Sequence, residues 1–328
     1  MTAIQVENLT KRFNGFVAVD NISFSINSSE IFGLLGPNGA GKSTTMAMLS
    51  TMLKPTSGSA SVNNFDILKN EDDVRKSIGI VFQDPSLDEE LTAYENMDFH
   101  GRLYRVPKKI RQKNIIELLK LVELEKRKDN LVKTFSGGMR RRLEIARGLL
   151  HEPRVLFLDE PTLGLDSQTR NLLWEYIEKL SKEKGITIIL TTHYMEEADR
   201  LCDRVAIIDQ GKIIALDTPE KLKEGIGGDV ITIKSPDCDR LYSKINTLPW
   251  VTYAEPHNGS VTISLQNAEK HVAEIVNLAS GDGIAIDSIS IHEPTLEDVF
   301  LHFTGRAIRD EKSSSKDHIR MMRSVRRR

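Results

Sequence analysis

The stretch Gly36-Pro37-Asn38-Gly39-Ala40-Gly41-Lys42-Ser43-Thr44 contains the phosphate-loop spacing G-x-x-x-x-G-K-[S/T] without a gap. The apolar run Ile31-Phe32-Gly33-Leu34-Leu35 precedes them and reads as a buried strand. Ser43 to Leu53 follows with no breaker before Pro55, which predicts a helix. Strand, glycine-rich turn and helix is the context the motif needs. The glycines allow positive φ and close approach of backbone N–H groups to a triphosphate, and the helix N-terminus adds partial positive charge. Lys42 is placed to reach the β/γ-phosphates and Ser43 to offer its hydroxyl to Mg²⁺. The alternative is a glycine-rich turn before an ordinary helix, and the flanks argue against it.

A chain of 328 residues suits two domains, or one large domain with an appendage. With 28% charged residues, no apolar run approaches the ~18 residues of a membrane-spanning helix. Met1 to Glu7 has neither a basic region nor a long apolar core, so no secretory signal is expected there. Cys202 and Cys238 stand far apart and read as reduced thiols. From Lys316 onward six basic residues and one acid give +5, which leaves −7 for the rest against a total of −2. A body that acidic is a poor duplex-binding surface, so no nucleic-acid partner is expected.

Residues 4–9 and 22–26 alternate as half-buried strands do, and Lys11 to Gly15 between them reads as a turn. Phe13 in that turn is either core or a ring free to stack on adenine. Strands are predicted at 59–62 and 78–82, the second delivering Gln83 at its end. Gln83 is either a ligand to Mg²⁺ or a water, or a surface residue of the turn before Asp84-Pro85. Between 92 and 132 apolar residues recur at helical spacing, with Pro107 separating two helices. Ser136 reads as the N-cap of the next helix, and Gly137-Gly138 leave its N–H groups uncovered. That is a second anion-binding helix start, unless the glycines only cap.

Val155-Leu156-Phe157-Leu158 followed by Asp159-Glu160 predicts a buried parallel strand that ends in two acids. Asp159 suits the Mg²⁺ shell, and Glu160, pointing elsewhere, suits an attacking water. Thr162 to Asp166 makes a turn before a helix over 167–184. The strand over 186–192 ends in His193, placed to hydrogen-bond a γ-phosphate. The other histidines show no comparable placement. A hairpin is predicted over 204–215, turning at Asp209-Gln210-Gly211.

With these motifs in this order, residues 3–225 resemble the nucleotide-binding subunit of an ABC transporter. Gly36 to Thr44 is similar to the family's Walker A, Gln83 to its Q-loop and Ser136-Gly137-Gly138 to its signature motif. Asp159 and Glu160 match Walker B with its catalytic glutamate, Asp166 the D-loop and His193 the switch histidine. Phe13 falls where the family has its adenine-stacking aromatic. The signature departs from the common form, with Met139 where the family usually has glutamine.

The resemblance implies an α/β P-loop NTPase fold and an ATPase that uses ATP and Mg²⁺, with Lys42, Glu160 and His193 catalytic. The nucleotide would lie against 36–44, Phe13, Gln83, Ser136, Gly137, Gly138 and Asp166, and the metal against Ser43, Gln83 and Asp159. It also implies head-to-tail pairing with a second nucleotide-binding subunit, most simply a homodimer. A separate integral membrane permease would touch about 85–132, within a helical subdomain of about 85–150. The subunit would then be cytoplasmic and peripheral on the inner face of the membrane. A soluble ABC ATPase acting on ribosome or nucleic acid is the alternative class. Such proteins usually carry two motif sets or long coiled coils, and this sequence has neither.

Residues 226–305 read as a small α+β domain with the order strand, helix, strand, strand, helix, strand, and then a helix from Pro294. Its end, His292 to Gly305, resembles the tail of daunorubicin-resistance-type drug-export ATPases, which have an ABC-2-type permease. Powered export of a small amphipathic molecule or drug is the implied function.

Residues 306–328 are polar and basic, the composition of a disordered tail. Contact with anionic lipid is a second reading, since each basic residue near such a surface contributes ~1 kcal/mol. That reading predicts salt-sensitive liposome binding that is lost when 316–328 are deleted. Equal binding by the truncated protein would rule it out.

Overall fold

Residues 1–257 and 259–305 are described by a computed structural model. They divide into two units, Met1–Pro219 and one beginning at Glu220. The tail predicted from residue 306 lies outside the described residues.

The first unit opens with a long antiparallel hairpin, β1 (Thr2–Phe13) and β2 (Phe16–Asn27). The sequence signal covered only residues 4–9 and 22–26, away from the turn. Lys11-Arg12-Phe13, expected as a turn, instead continues β1, with Lys11 opposite Val19 and Phe13 opposite Phe16. Only Asn14 and Gly15, at φ 40° and 89°, make the turn. An Asn-Gly pair suffices for a two-residue hairpin turn, so the polar residues before it are free to pair. β3 (Ile31–Leu35), fully buried, leads into α1 (Lys42–Leu49). The helix ends short of the expected Leu53 because Thr51 takes φ 62°. β4 (Ser57–Val62) and β5 (Phe65–Asp66) join the hairpin in an antiparallel sheet of order β2-β1-β4-β5.

After α2 (Glu71–Ser77) and β6 (Ile78–Val81) come three helices: α3 (Ala93–Leu103), α4 (Lys108–Leu121) and α5 (Gly137–Gly148). Thr92 and Glu95 form a capping box at α3, and Pro107 stands at the position before α4. The three share a core of their own that includes Met97, Ile115, Leu119, Leu143 and Leu150. The chain then returns through β7 (Val155–Asp159), α6 (Ser167–Lys184), β8 (Thr187–Thr192), α7 (Met195–Leu201), β9 (Arg204–Asp209) and β10 (Lys212–Asp217).

A six-stranded sheet of order β10-β9-β3-β8-β7-β6 is parallel apart from β10. Every residue of β8 and the first four of β7 are buried, which suits the apolar run Val155 to Leu158 and the Ile188-Ile189-Leu190 centre of β8. One core joins this sheet, α1 and the antiparallel sheet through Leu9, Ile22, Phe32, Met48 and Phe157. Within it the Phe24 and Phe32 rings stack with centroids 5.3 Å apart.

The second unit begins within α8 (Pro219–Glu224) and continues as β11 (Asp229–Lys234), α9 (Cys238–Ile245), β12 (Tyr253–His257), β13 (Ser260–Leu265), α10 (Ala268–Gly281), β14 (Ser288–His292) and α11 (Leu296–Thr304). Its antiparallel sheet has the order β12-β13-β11-β14, with a core that includes Ile231, Ile233, Leu241, Ile263 and Ile275. The element order is the one expected. α11 starts at Leu296 rather than Pro294, because the Thr295 hydroxyl and Asp298 form a capping box.

Candidate active site

Parallel register brings the carboxyl ends of β3, β7 and β8 to one edge: Leu35 pairs with Thr192 and Asp159 with Thr191. The phosphate loop leaves β3 at this edge and turns into α1. Gly41, at φ 107°, precedes the first residue of α1. A Cβ built on Gly36 would lie 2.1 Å from the Ile208 carbonyl oxygen, and one on Gly41 would lie 2.5 Å from that of Ala18. The loop is therefore wedged between the ends of β9 and β2, where neither glycine has room for a side chain. Pro37 and Ala40 are buried in this wedge, while Asn38 and Gly39 are exposed at its crest. Lys42 is 5% exposed, and its Nζ donates to the Gly36 and Pro37 carbonyls at 2.7 and 3.0 Å. Beside it Ser43 is exposed and Thr44 half-buried.

Five groups predicted from sequence converge here. The Ser43 hydroxyl donates to Asp159 Oδ1 at 3.1 Å, and the Thr191 hydroxyl donates to the same oxygen. Glu160 is 9% exposed, with Oε1 3.9 Å from Lys42 Nζ and 3.2 Å from His193 Nδ1. Glu160 also adopts φ 44°. A left-handed conformation costs a residue with a side chain about 1–2 kcal/mol, so other contacts hold it there. Its N–H is shared between the Thr191 hydroxyl at 3.0 Å and the Thr191 carbonyl at 3.2 Å.

The remaining predicted residues sit on other elements. Ser136 caps α5, its Oγ accepting from Met139 N at 3.3 Å. Of the two glycines after it, Gly138 has a packing role as well: an added Cβ would meet Thr169 Cγ2 of α6 at 2.2 Å. Gly137 has only Leu165 nearby, at 3.8 Å. Asp166 caps α6, accepting from Thr169 N at 2.9 Å, and that backbone N–H holds its carboxyl below the usual range. Phe13 is half-buried at the end of β1, with Lys11 Nζ 4.9 Å from its ring centre. Gln83 is exposed just beyond β6.

Two residues at this edge escaped the sequence reading. Thr191 is fully buried and holds both Asp159 and Glu160. Its position, last but one on a strand leading to His193, was the available signal. Arg141 is 7% exposed and donates to the carbonyls of Asp159, Glu160 and Pro161. In the run Arg140-Arg141-Arg142 it looks like surface charge. Its helical phase, shared with buried Gly138, Ile145 and Gly148, says otherwise.

Known proteins resemble this chain in sequence and in fold. Residues 19–163 match the family described as ABC transporter. The linearmycin resistance ATP-binding protein LnrL of Bacillus subtilis is 40% identical over 312 residues, covering 94% of this chain and all of LnrL. The chain belongs to the ABC transporter ATP-binding proteins. Residues 218–304 match the C-terminal domain of DrrA1-3-like ATP-binding proteins, which places it in that branch of the family. The daunorubicin/doxorubicin resistance ATP-binding protein DrrA of Streptomyces peucetius is 37% identical, covering 95% of each chain. Among solved ABC structures, CbiO1 of Clostridium perfringens superposes with a TM-score of 0.64 at 34% identity, over 69% of this chain and 93% of that one. The ABC cassette MJ0796, dimeric and bound to ADP and Pi, gives 0.60 at 30%, over 66% and 98%. As an ABC ATPase the chain binds and hydrolyses ATP. Subunits of this family work in pairs beside a membrane permease. Among the described residues no helix is long and apolar enough to cross a membrane.

The wedge predicts the effect of a methyl group in the loop. Gly36→Ala should destabilise the protein by about 1–3 kcal/mol, as overpacking against backbone does. Urea unfolding measures it, and an unchanged midpoint would show that the loop yields freely.

Proposed function

We propose that this ABC ATPase powers export of a small amphipathic molecule through a separate ABC-2-type permease, working as a homodimer on the inner face of the membrane. The observation that carries the catalytic half of this reading is the convergence of Lys42, Ser43, Asp159, Glu160 and His193 at one edge of the parallel sheet. The DrrA-like C-terminal domain, and the resistance and Nod factor export proteins among the relatives, support the transport half.

Each residue has a role that its chemistry allows. Backbone N–H groups of 36–44 and the start of α1 cradle the phosphates. Lys42 supplies a cation there, and its closeness to Glu160 keeps a countercharge at hand. A hydroxyl and a carboxylate 3.1 Å apart, Ser43 and Asp159, form the hard oxygen donor pair that Mg²⁺ takes. When bound, Mg²⁺ neutralises charge on the phosphate oxygens. Gln83 is a further ligand from the end of β6. Glu160 accepts a proton from the attacking water, and His193, in contact with its carboxylate, orients it and meets the γ-phosphate. Phe13 stacks on the adenine.

Ser136, Gly137 and Gly138 of the second copy cover the triphosphate from the opposite side, with Asp166 beside them at the pair's interface. This uses both anion-binding helix starts, one from each subunit. Residues 1–225 form the nucleotide-binding domain, with a helical subdomain of about 85–150 whose segment of about 85–132 faces the permease. Residues 226–305 are the accessory domain.

Glu160→Gln should keep ATP binding and slow turnover by about 10²-fold or more, so that an ATP-bound dimer accumulates on size exclusion. Turnover within a few-fold of the parent would assign the water to another group. Lys42→Ala should instead weaken ATP binding by about tenfold or more, through loss of a charged phosphate contact. Unchanged affinity in an equilibrium binding assay would count against the cradle.

A further inference from the structure

The guanidinium of Arg141 is buried on α5 and finds an acceptor in every direction. Its Nε donates to Pro161 O at 2.9 Å, and its Nη2 to Asp159 O at 2.8 Å and Glu160 O at 3.3 Å. Its Nη1 donates to Phe82 O at the end of β6 and to Glu144 Oε2 at 3.1 Å. The whole donor set of the side chain is engaged, as a buried cation requires. Glu144, 3% exposed, uses its other oxygen to accept from Ser86 N at 2.7 Å. Three successive carbonyls that flank the active-site edge thus converge on one side chain from a different element.

Their spacing explains why arginine stands here. A planar fork can serve carbonyls of residues 159, 160 and 161 together with that of Phe82, whereas an ammonium is a single point. The left-handed backbone of Glu160 needs restraint on both sides of its Cα. Thr191 holds the N–H, and Arg141 holds the C=O. Those two anchors set the direction in which the Glu160 carboxylate leaves the backbone, toward Lys42 and His193.

We infer that Arg141 is a positioning residue for ATP hydrolysis, acting through the backbone of Glu160 and touching neither nucleotide nor water. The inference rests on Glu160 being the group that polarises the water. Other charges in the run do different things: Arg140 pairs with Glu89 and Arg142 reaches the Val122 carbonyl.

The test uses the full chain with Arg141→Gln and Arg141→Lys, each alone and combined with Glu160→Gln. Turnover of Arg141→Gln should fall about tenfold or more, the scale of losing hydrogen bonds to a charged group, while KM and equilibrium ATP affinity stay within about threefold. Arg141→Lys should fall between it and the parent, since the cation remains beside Glu144 but the fork is gone. In the Glu160→Gln background neither change should slow turnover further, because the group being positioned has gone. Without nucleotide, amide exchange at Asp159 and Glu160 should quicken in both variants while α1 keeps its protection.

Should Arg141→Gln fail to fold with Glu144 left unpaired, Arg141→Lys carries the same comparison, with a loss of about threefold or more expected. Turnover within about twofold of the parent in Arg141→Lys and Arg141→Gln would overturn the inference, as would an equal loss in the Glu160→Gln background. A Glu160→Gln protein that turns over like the parent would instead sink the reading of Glu160 itself.

Discussion

The in-register ends of β3, β7 and β8 carry the rest of this structure. Leu35 opposite Thr192 and Asp159 opposite Thr191 place a glycine loop, two acids and a histidine within reach of one another. A parallel sheet does this because crossover helices return every strand to the same end, so residues that leave the strands gather on one edge. Antiparallel strands would have split them between two edges. The strands can be short and rich in apolar residues because they are buried, in part against α1 and the antiparallel sheet in one core.

Two demands meet at Glu160. Its carboxylate is nearly buried beside Lys42 and His193, and its backbone is in a conformation that side chains disfavour. Neither would persist without support from elsewhere. The support comes from a neighbouring strand through Thr191 and from a helix of another layer through Arg141. A site of this kind depends on residues with no chemical role of their own.

α5 serves three purposes with a single helix. Its first turn, capped by Ser136, presents backbone N–H groups, and its buried side packs on α6 at Gly138 and carries Arg141 into the β7 edge. The second unit is built on different lines, an antiparallel sheet in which β11 pairs with β13 and β14 and only β12 and β13 are a direct hairpin.

Local chemistry made most of the site legible. Lys42, Ser43, Asp159, Glu160 and His193 could be named because glycine spacing and strand-end position report the backbone geometry that their chemistry needs. The element order of the second unit was equally readable, because alternation and helical period are properties of neighbouring residues. The extent of β1 was not, since Lys11-Arg12-Phe13 looks like a turn until β2 is there to pair with it. Nor were the early end of α1 at Thr51 or the burial of Arg141. A buried arginine is identified by its acceptors, and these lie 18 to 20 and 59 residues away in the chain, apart from Glu144. Sequence order alone decided which groups sit at the strand ends. Packing between distant segments decided how those groups are aimed, because direction comes from contacts that only the folded chain brings together.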